Sequence, residues 1–166
     1  MIYDFRPVAQ QVVNITHSSP EIIVGEMWLG KGQDGPPLHI HPALQEELEV
    51  ISGKVEIYRF GKWEIITKGA KWTVPPGEVH TFRAVPDSEA NLKVTGTPAL
   101  GFEGYFKDTD QLIKSGKLTS FNNWNGIIYS AMLLDKYSDT MQPAQKSLKF
   151  VVRIAIFIGK IIGKKV

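Results

Sequence analysis

Three of the four histidines in this 166-residue chain stand in two patterned places. The first reads His39-x-His41-x4-Glu46-x6-Gly53, and the second reads Gly69-x5-Pro75-x-Gly77-x2-His80. Residues two apart on a strand project to one face, so His39 and His41 can converge on one ion. Two imidazoles and a carboxylate form the usual nucleus of a first-row divalent metal site. Glu46 and Glu47 compete for the carboxylate role. Strict alternation from His41 selects Glu47, but Pro42 breaks the strand and resets the alternation. Counted back from the next strand, Glu46 shares its face with Leu48 and Val50, whereas Glu47 shares its face with Glu49. The apolar face is the interior one in a small barrel, which selects Glu46. Pro75-Pro76-Gly77 makes the turn that delivers His80 onto a strand, on a face shared with Phe82 and Ala84. Taken alone, one histidine among apolar neighbours is more often a hydrogen-bonded core residue than a ligand.

Other chemistry is sparse. There is no cysteine, which excludes disulfides, thiolate-bound zinc, iron–sulfur clusters and thiol nucleophiles. Aromatic residues are numerous near the expected barrel mouth: Trp28, Tyr58, Phe60, Trp63, Trp72 and Phe82. Of these, Trp72, Phe82 and Tyr58 are the candidate walls of a small-molecule pocket, although each ring alone reads equally as barrel core. Glu26, Glu103 and Tyr58 are the only candidates for an added acid or base, and solvated surface is the simpler account of each. His17, in a turn-rich Thr16-His17-Ser18-Ser19 segment, reads as a surface residue. No catalytic side chain emerges beyond the ligand set.

These residues need elements to hold them. Before Ala99, short apolar stretches alternate with turn signals at spacings that predict an all-β sandwich or barrel. The predicted strands are Ile22–Trp28, Leu38–His41, Leu48–Ile51, Lys54–Phe60, Trp63–Thr67, Lys71–Val74, His80–Ala84 and Leu92–Gly96. After Ala99 the period becomes helical, with helices predicted over Tyr105–Ser115, Asn125–Tyr137 and Pro143–Ile162. The division is therefore residues 1–99 as a β-barrel domain and 100–166 as a C-terminal helical extension, packing on the barrel or on a second subunit. Composition agrees with a globular chain, 43% apolar and 22% charged. The first twenty residues lack the apolar core of a signal peptide, so a cytoplasmic protein is expected.

Charge is unevenly placed. No acid follows Asp139, and Lys146, Lys149, Arg153, Lys160, Lys164 and Lys165 give the tail +6 against +2 overall, leaving the body at −4. An acidic body argues against a nucleic-acid groove. In the last predicted helix the basic residues form one stripe, and Phe150, Val151, Ile154, Phe157, Ile158, Ile161 and Ile162 fill most of the remainder. So wide an apolar face must be covered. A homodimer contact anchored by Phe150, Phe157 and Ile161 is expected, with a membrane surface as the less favoured occupant.

Together the two histidine segments resemble the paired signature of the cupin superfamily, G-x5-H-x-H-x(3,4)-E-x6-G followed by G-x5-P-x-G-x2-H-x3-N. The fifteen residues between Gly53 and Gly69 suit the hairpin that separates the motifs in small cupins. Two positions depart from the pattern: the opening glycine is out of place, and Ala84 stands where the family has Asn. The resemblance covers about residues 20 to 97, and the remainder looks like small bacterial cupin-2 proteins with a helical tail. It implies a mainly β fold, a double-stranded β-helix or cupin jelly-roll barrel, with a C-terminal α-helical extension. It also implies metal ligands at His39, His41, Glu46 and His80, holding one divalent transition metal per chain: Fe, Mn, Ni or Zn. Such a set leaves two positions of an octahedral ion open, whereas a tetrahedral zinc would be nearly closed. The expected function is a metal-binding cupin with a small-molecule pocket, either a dioxygenase or isomerase-type enzyme or a non-catalytic ligand-binding or sensor module. A transcription regulator fits least, since only about twenty residues precede the barrel.

Overall fold

The computed structural model describes residues 1–166. Nine strands precede the helices: β1 (Ile2–Asp4), β2 (Gln11–Ser18), β3 (Ile23–Leu29), β4 (His39–Ile40), β5 (Gln45–Arg59), β6 (Lys62–Thr67), β7 (Lys71–Val74), β8 (Thr81–Ala84) and β9 (Ala90–Thr97). Period-2 patterning places their side chains: Ile23, Gly25, Met27 and Leu29 of β3, and Ala90, Leu92, Val94 and Gly96 of β9, are buried on alternate positions. The strands pair antiparallel along the path β1-β2-β3-β9-β5-β6, with β7 and β8 also on β5. This is the jelly-roll layout of a double-stranded β-helix, and its hydrogen-bonded path does not close on itself.

One long strand links the two walls. The first half of β5 runs between β9 and β7, and its second half between β6 and β8. A bulge between Val50 and Ser52 separates the halves. The inserted residue reverses which alternate is buried, from Glu46, Leu48 and Val50 to Val55 and Ile57. Gly53 follows at φ 78, and a Cβ there would collide with the Glu89 carbonyl oxygen, so only glycine fits. The predicted strands Leu48–Ile51 and Lys54–Phe60 are therefore one strand, because Ser52-Gly53 bends the chain without ending it. The sequence also lacks an obvious sign of β1 and β2. The pair nonetheless extends the sheet beyond β3 and buries Tyr3, Val13 and Ile15.

The second half contains α1 (Phe102–Lys114), α2 (Trp124–Lys136), a two-residue strand β10 (Gln142–Pro143) and α3 (Lys146–Ile161). Asn123 caps α2 by accepting a hydrogen bond from the Gly126 N–H at 2.8 Å. Pro143 does not open a helix as predicted; it lies in β10, paired with His39 of β4, and α3 begins three residues later. The core is continuous from barrel to helices: Phe102, Phe106, Leu112, Ile113, Leu118, Tyr129 and Leu133 share one 26-residue cluster with the inward faces of the strands. The α3 helix packs on α2 instead, burying Ala155 and Gly159 against Ile128 and Met132. No helix is long and apolar enough to cross a membrane.

Candidate metal centre

The two histidine segments are laced together by main chain. His39 N–H donates to the His80 carbonyl and His80 N–H to the His39 carbonyl, each at 3.1 Å. The Pro75-Pro76-Gly77 turn adds a third tie, Gly77 N–H to the His41 carbonyl at 2.8 Å, with Gly77 at φ 82. This register gathers the rings at steep angles to one another: centroids lie 4.2 Å apart for His39–His80, 4.9 Å for His39–His41 and 5.1 Å for His41–His80. Ligating atoms of the three imidazoles all fall within 4.8 Å of one another. All are buried, with exposures of 4% for His39, 1% for His41 and 1% for His80, and Glu46 at 3% joins them. Its carboxylate Oε2 stands 3.2 Å from His80 Nε2 and 3.7 Å from His41 Nε2. Glu47 is on the opposite alternate of β5, half-buried beside Glu49, which pairs with Lys71.

Each imidazole is oriented by a carbonyl. His39 Nδ1 is 2.9 Å from the Pro37 carbonyl, His80 Nδ1 is 3.0 Å from the Glu78 carbonyl, and His41 Nδ1 is 2.6 Å from the Thr140 carbonyl. A carbonyl oxygen only accepts, so Nδ1 must carry the proton in all three rings. In the neutral rings Nε2 is then the free lone pair. His41 Nε2 is buried with no hydrogen-bond partner, and His80 Nε2 confronts the Glu46 carboxylate. Lone pairs that face one another in a dry interior require a shared cation, either a proton or a metal ion. Nδ1–H to carbonyl contacts are the outer-shell pattern of metal-bound histidine. The donor set therefore fits a first-row divalent ion. A separation of 3.2 Å also suits two donors sharing one ion at about 2.0–2.2 Å.

The electrostatics agree. Burial pushes His39 down to about 3, with repulsion from His80 and His41 adding to it, so the ring stays neutral and free to coordinate. For Glu46, burial opposes ionisation, but the hydrogen bond with His80 and the attraction of His41 and His80 outweigh it and hold the carboxyl below its ordinary range. For His41 burial also acts against charge, yet Glu46 raises it overall.

The helical half completes this centre. Thr140, which orients His41, lies just before β10, and the Ala144 N–H donates to the Leu38 carbonyl at 3.0 Å, fastening the strap. The Thr140 hydroxyl oxygen accepts from Gly101 N–H at 2.9 Å, linking the strap to the start of α1. There the Phe102 ring meets His41 edge-on at 5.5 Å. The sequence assigns none of Thr140, Pro143 and Phe102 to the site, because their contacts with His39 and His41 span about sixty to a hundred residues and leave no local pattern. The other candidates lie elsewhere. Trp72 and Phe82 are packed in the core cluster, and Tyr58 is half-buried against Trp63, with ring centroids 5.5 Å apart. Glu26 and His17 are exposed, and Glu103 accepts from the Tyr3 hydroxyl at 3.4 Å. A small apolar cleft opens between the sheet and α1, lined by Val13, Ile15, Ile23, Met27 and Phe102 among others; of the candidates Glu26 borders it, and Trp72, Phe82 and Tyr58 do not.

A jelly-roll barrel with three inward histidines and a glutamate defines a class of protein, and comparison with known proteins agrees. Residues 25–95 match the Cupin domain family, so this stretch of the barrel is a cupin domain. An RmlC-like cupin from Shewanella frigidimarina is similar with a TM-score of 0.53 and 23% identity, over 60% of this chain and 84% of that one. KdgF from Halomonas sp. is similar at 0.51 and 16%, over 58% and 86%. A sugar phosphate isomerase of the cupin superfamily from Silicibacter pomeroyi is similar at 0.50 and 19%, over 53% and 59%. At these identities the likeness is one of fold. No curated protein matches the chain.

Proposed function

We propose that the chain binds one divalent transition metal through His39, His41, Glu46 and His80 and uses it on a small organic molecule, in the manner of a metal-dependent oxygenase. The observation that carries the metal is the common orientation of the three imidazoles, each with Nδ1–H on a carbonyl and Nε2 turned inward, one of them unpartnered. When bound, such an ion supplies Lewis acidity and open positions for a chelating substrate or dioxygen. The chain's part is to hold the donors, to keep His39 neutral and to exclude water. Isomerisation needs a separate acid or base; Glu103 is engaged by Tyr3, Tyr58 meets Trp63 edge-on, and Glu26 borders the apolar cleft but is exposed and makes no bond to the four ligands. The likeness to a sugar phosphate isomerase is of fold and adds no such group.

Phe102 lines the apolar cleft and also meets His41 edge-on; the cleft, about 10 Å³, has room for no more than a water, so a substrate-sized molecule would need this region to open. A second reading, a non-catalytic metal or ligand sensor, draws support from the complete burial of all four ligands. Metal analysis of anaerobically purified protein, followed by oxygen uptake with catechols, flavonols and diketones, separates them. Stoichiometric metal with substrate-dependent uptake supports the oxygenase, metal without uptake supports the sensor, and protein unable to take up metal refutes both.

A further inference from the structure

The α3 helix carries three stripes. One, centred on Ala155 and Gly159, is buried on α2. At about 100° per residue, Phe150, Ile154, Phe157 and Ile161 form a second stripe within about 60° of arc, on the far side from α2. These are exposed by 65%, 45%, 65% and 68%. The third stripe, immediately beside it, contains Lys146, Lys149, Arg153 and Lys160, and Lys164 follows the end of the helix. Within the chain these cations have few partners: Lys160 lies 3.8 Å from an Asp135 carboxylate and Lys164 sits 4.4 Å over the Tyr129 ring, while Lys146, Lys149 and Arg153 make no ion pair.

From this we infer that α3 lies in the interface of an anionic lipid surface, with the Phe150–Ile161 stripe inserted among acyl chains and the basic stripe on the headgroups. The charge decides the occupant. Six cations and no acid follow Asp139, so two copies joined through α3 would set like charges along the rim of the seam with nothing in the helix to neutralise them. Phosphate-bearing headgroups neutralise the unpaired Lys146, Lys149 and Arg153, and each cation near such a surface contributes about 1 kcal/mol. Nucleic acid would match the charge but leave the four apolar side chains wet. At 16 residues α3 is a helix that lies in the interface without spanning it. The inference is independent of the metal and of the reaction proposed above.

The full-length chain is to be sedimented with vesicles of phosphatidylcholine alone and of phosphatidylcholine with about three parts in ten phosphatidylserine. Binding is expected only to the serine-containing vesicles, weakening as salt rises. Lys149→Glu/Arg153→Glu should reduce partitioning by more than about 25-fold, since each lost cation costs about fivefold. Phe150→Ser/Phe157→Ser should abolish insertion. Phe150, Arg153 and Phe157 are exposed and Lys149 is half-buried with no ion pair, so metal content and far-UV circular dichroism should stay at wild-type values and certify the fold. Equal binding to both vesicle types, no binding, or partitioning unchanged by either pair of substitutions overturns the inference. So does a lipid-free self-association, seen by equilibrium ultracentrifugation, that Phe150→Ser/Phe157→Ser removes, for then a second copy covers the face.

Discussion

Three carbonyls decide what His39, His41 and His80 present to the barrel interior, and that decision can be tested one side chain at a time. The double variant His39→Ala/His80→Ala should retain no stoichiometric metal after gel filtration, as read by elemental analysis. Glu46→Gln should lower metal content sharply and Glu47→Gln should leave it unchanged, because only Glu46 is on the buried alternate of β5. Acidity should act through the same atoms. His39 is held at about 3 when folded against about 6.5 when unfolded, so its contribution to stability is full above pH 6.5 and is lost as pH falls toward the folded value. His41, raised overall, contributes in the opposite sense: its share is present below pH 6.5 and is lost as pH rises through its folded value. A metal ion needs both rings neutral, and the raised His41 is where protons compete. Affinity measured by chelator competition should therefore fall from about pH 7.5 to pH 5, and a flat profile would rule out histidine as the principal ligand.

Among the elements, β5 is the one whose failure would cost most. Gly53→Ala places a Cβ against the Glu89 carbonyl in a left-handed backbone, and should destabilise the chain by about 2 kcal/mol or more in urea unfolding with an unchanged slope. Phe102→Ala should cost about 3–5 kcal/mol as a buried aromatic truncation and should also speed chelator extraction of the metal, since the ring abuts His41. Residue type and spacing made the segments that carry His39, His41 and His80 legible, although His41 and His80 fall just outside β4 and β8, and period-2 alternation distinguished Glu46 from Glu47. The helices were legible too, to within a few residues at their ends. The rest was not, for identifiable reasons. Ser52-Gly53 reads as a turn because a glycine that bends a strand and one that ends it look alike. Gln142-Pro143 reads as a helix start because a proline suits a first turn and β10 is defined only by its partner, about a hundred residues away.

At the scale of the whole molecule, the helical half belongs to the barrel's chemistry. A chain ending at Gln142 loses Pro143 from the pairing with His39, loses the Ala144 tie to Leu38, and uncovers Ile128 and Met132. It should scatter light at concentrations where the full chain stays clear, and should release metal to a chelator faster. The strap also imposes an order in time. A ribosome delivers His39, His41, Glu46 and His80 some sixty residues before it delivers Thr140, so a nascent barrel holds its donors with His41 not yet oriented and the mouth not yet covered. An ion arriving during that interval would need no opening motion to reach the donors. Once β10 docks the four donors are enclosed, so an ion held there would exchange only as the strap lifts. Apo-protein folded without metal and then supplied with it should load slowly, whereas metal present during refolding should be taken up at once.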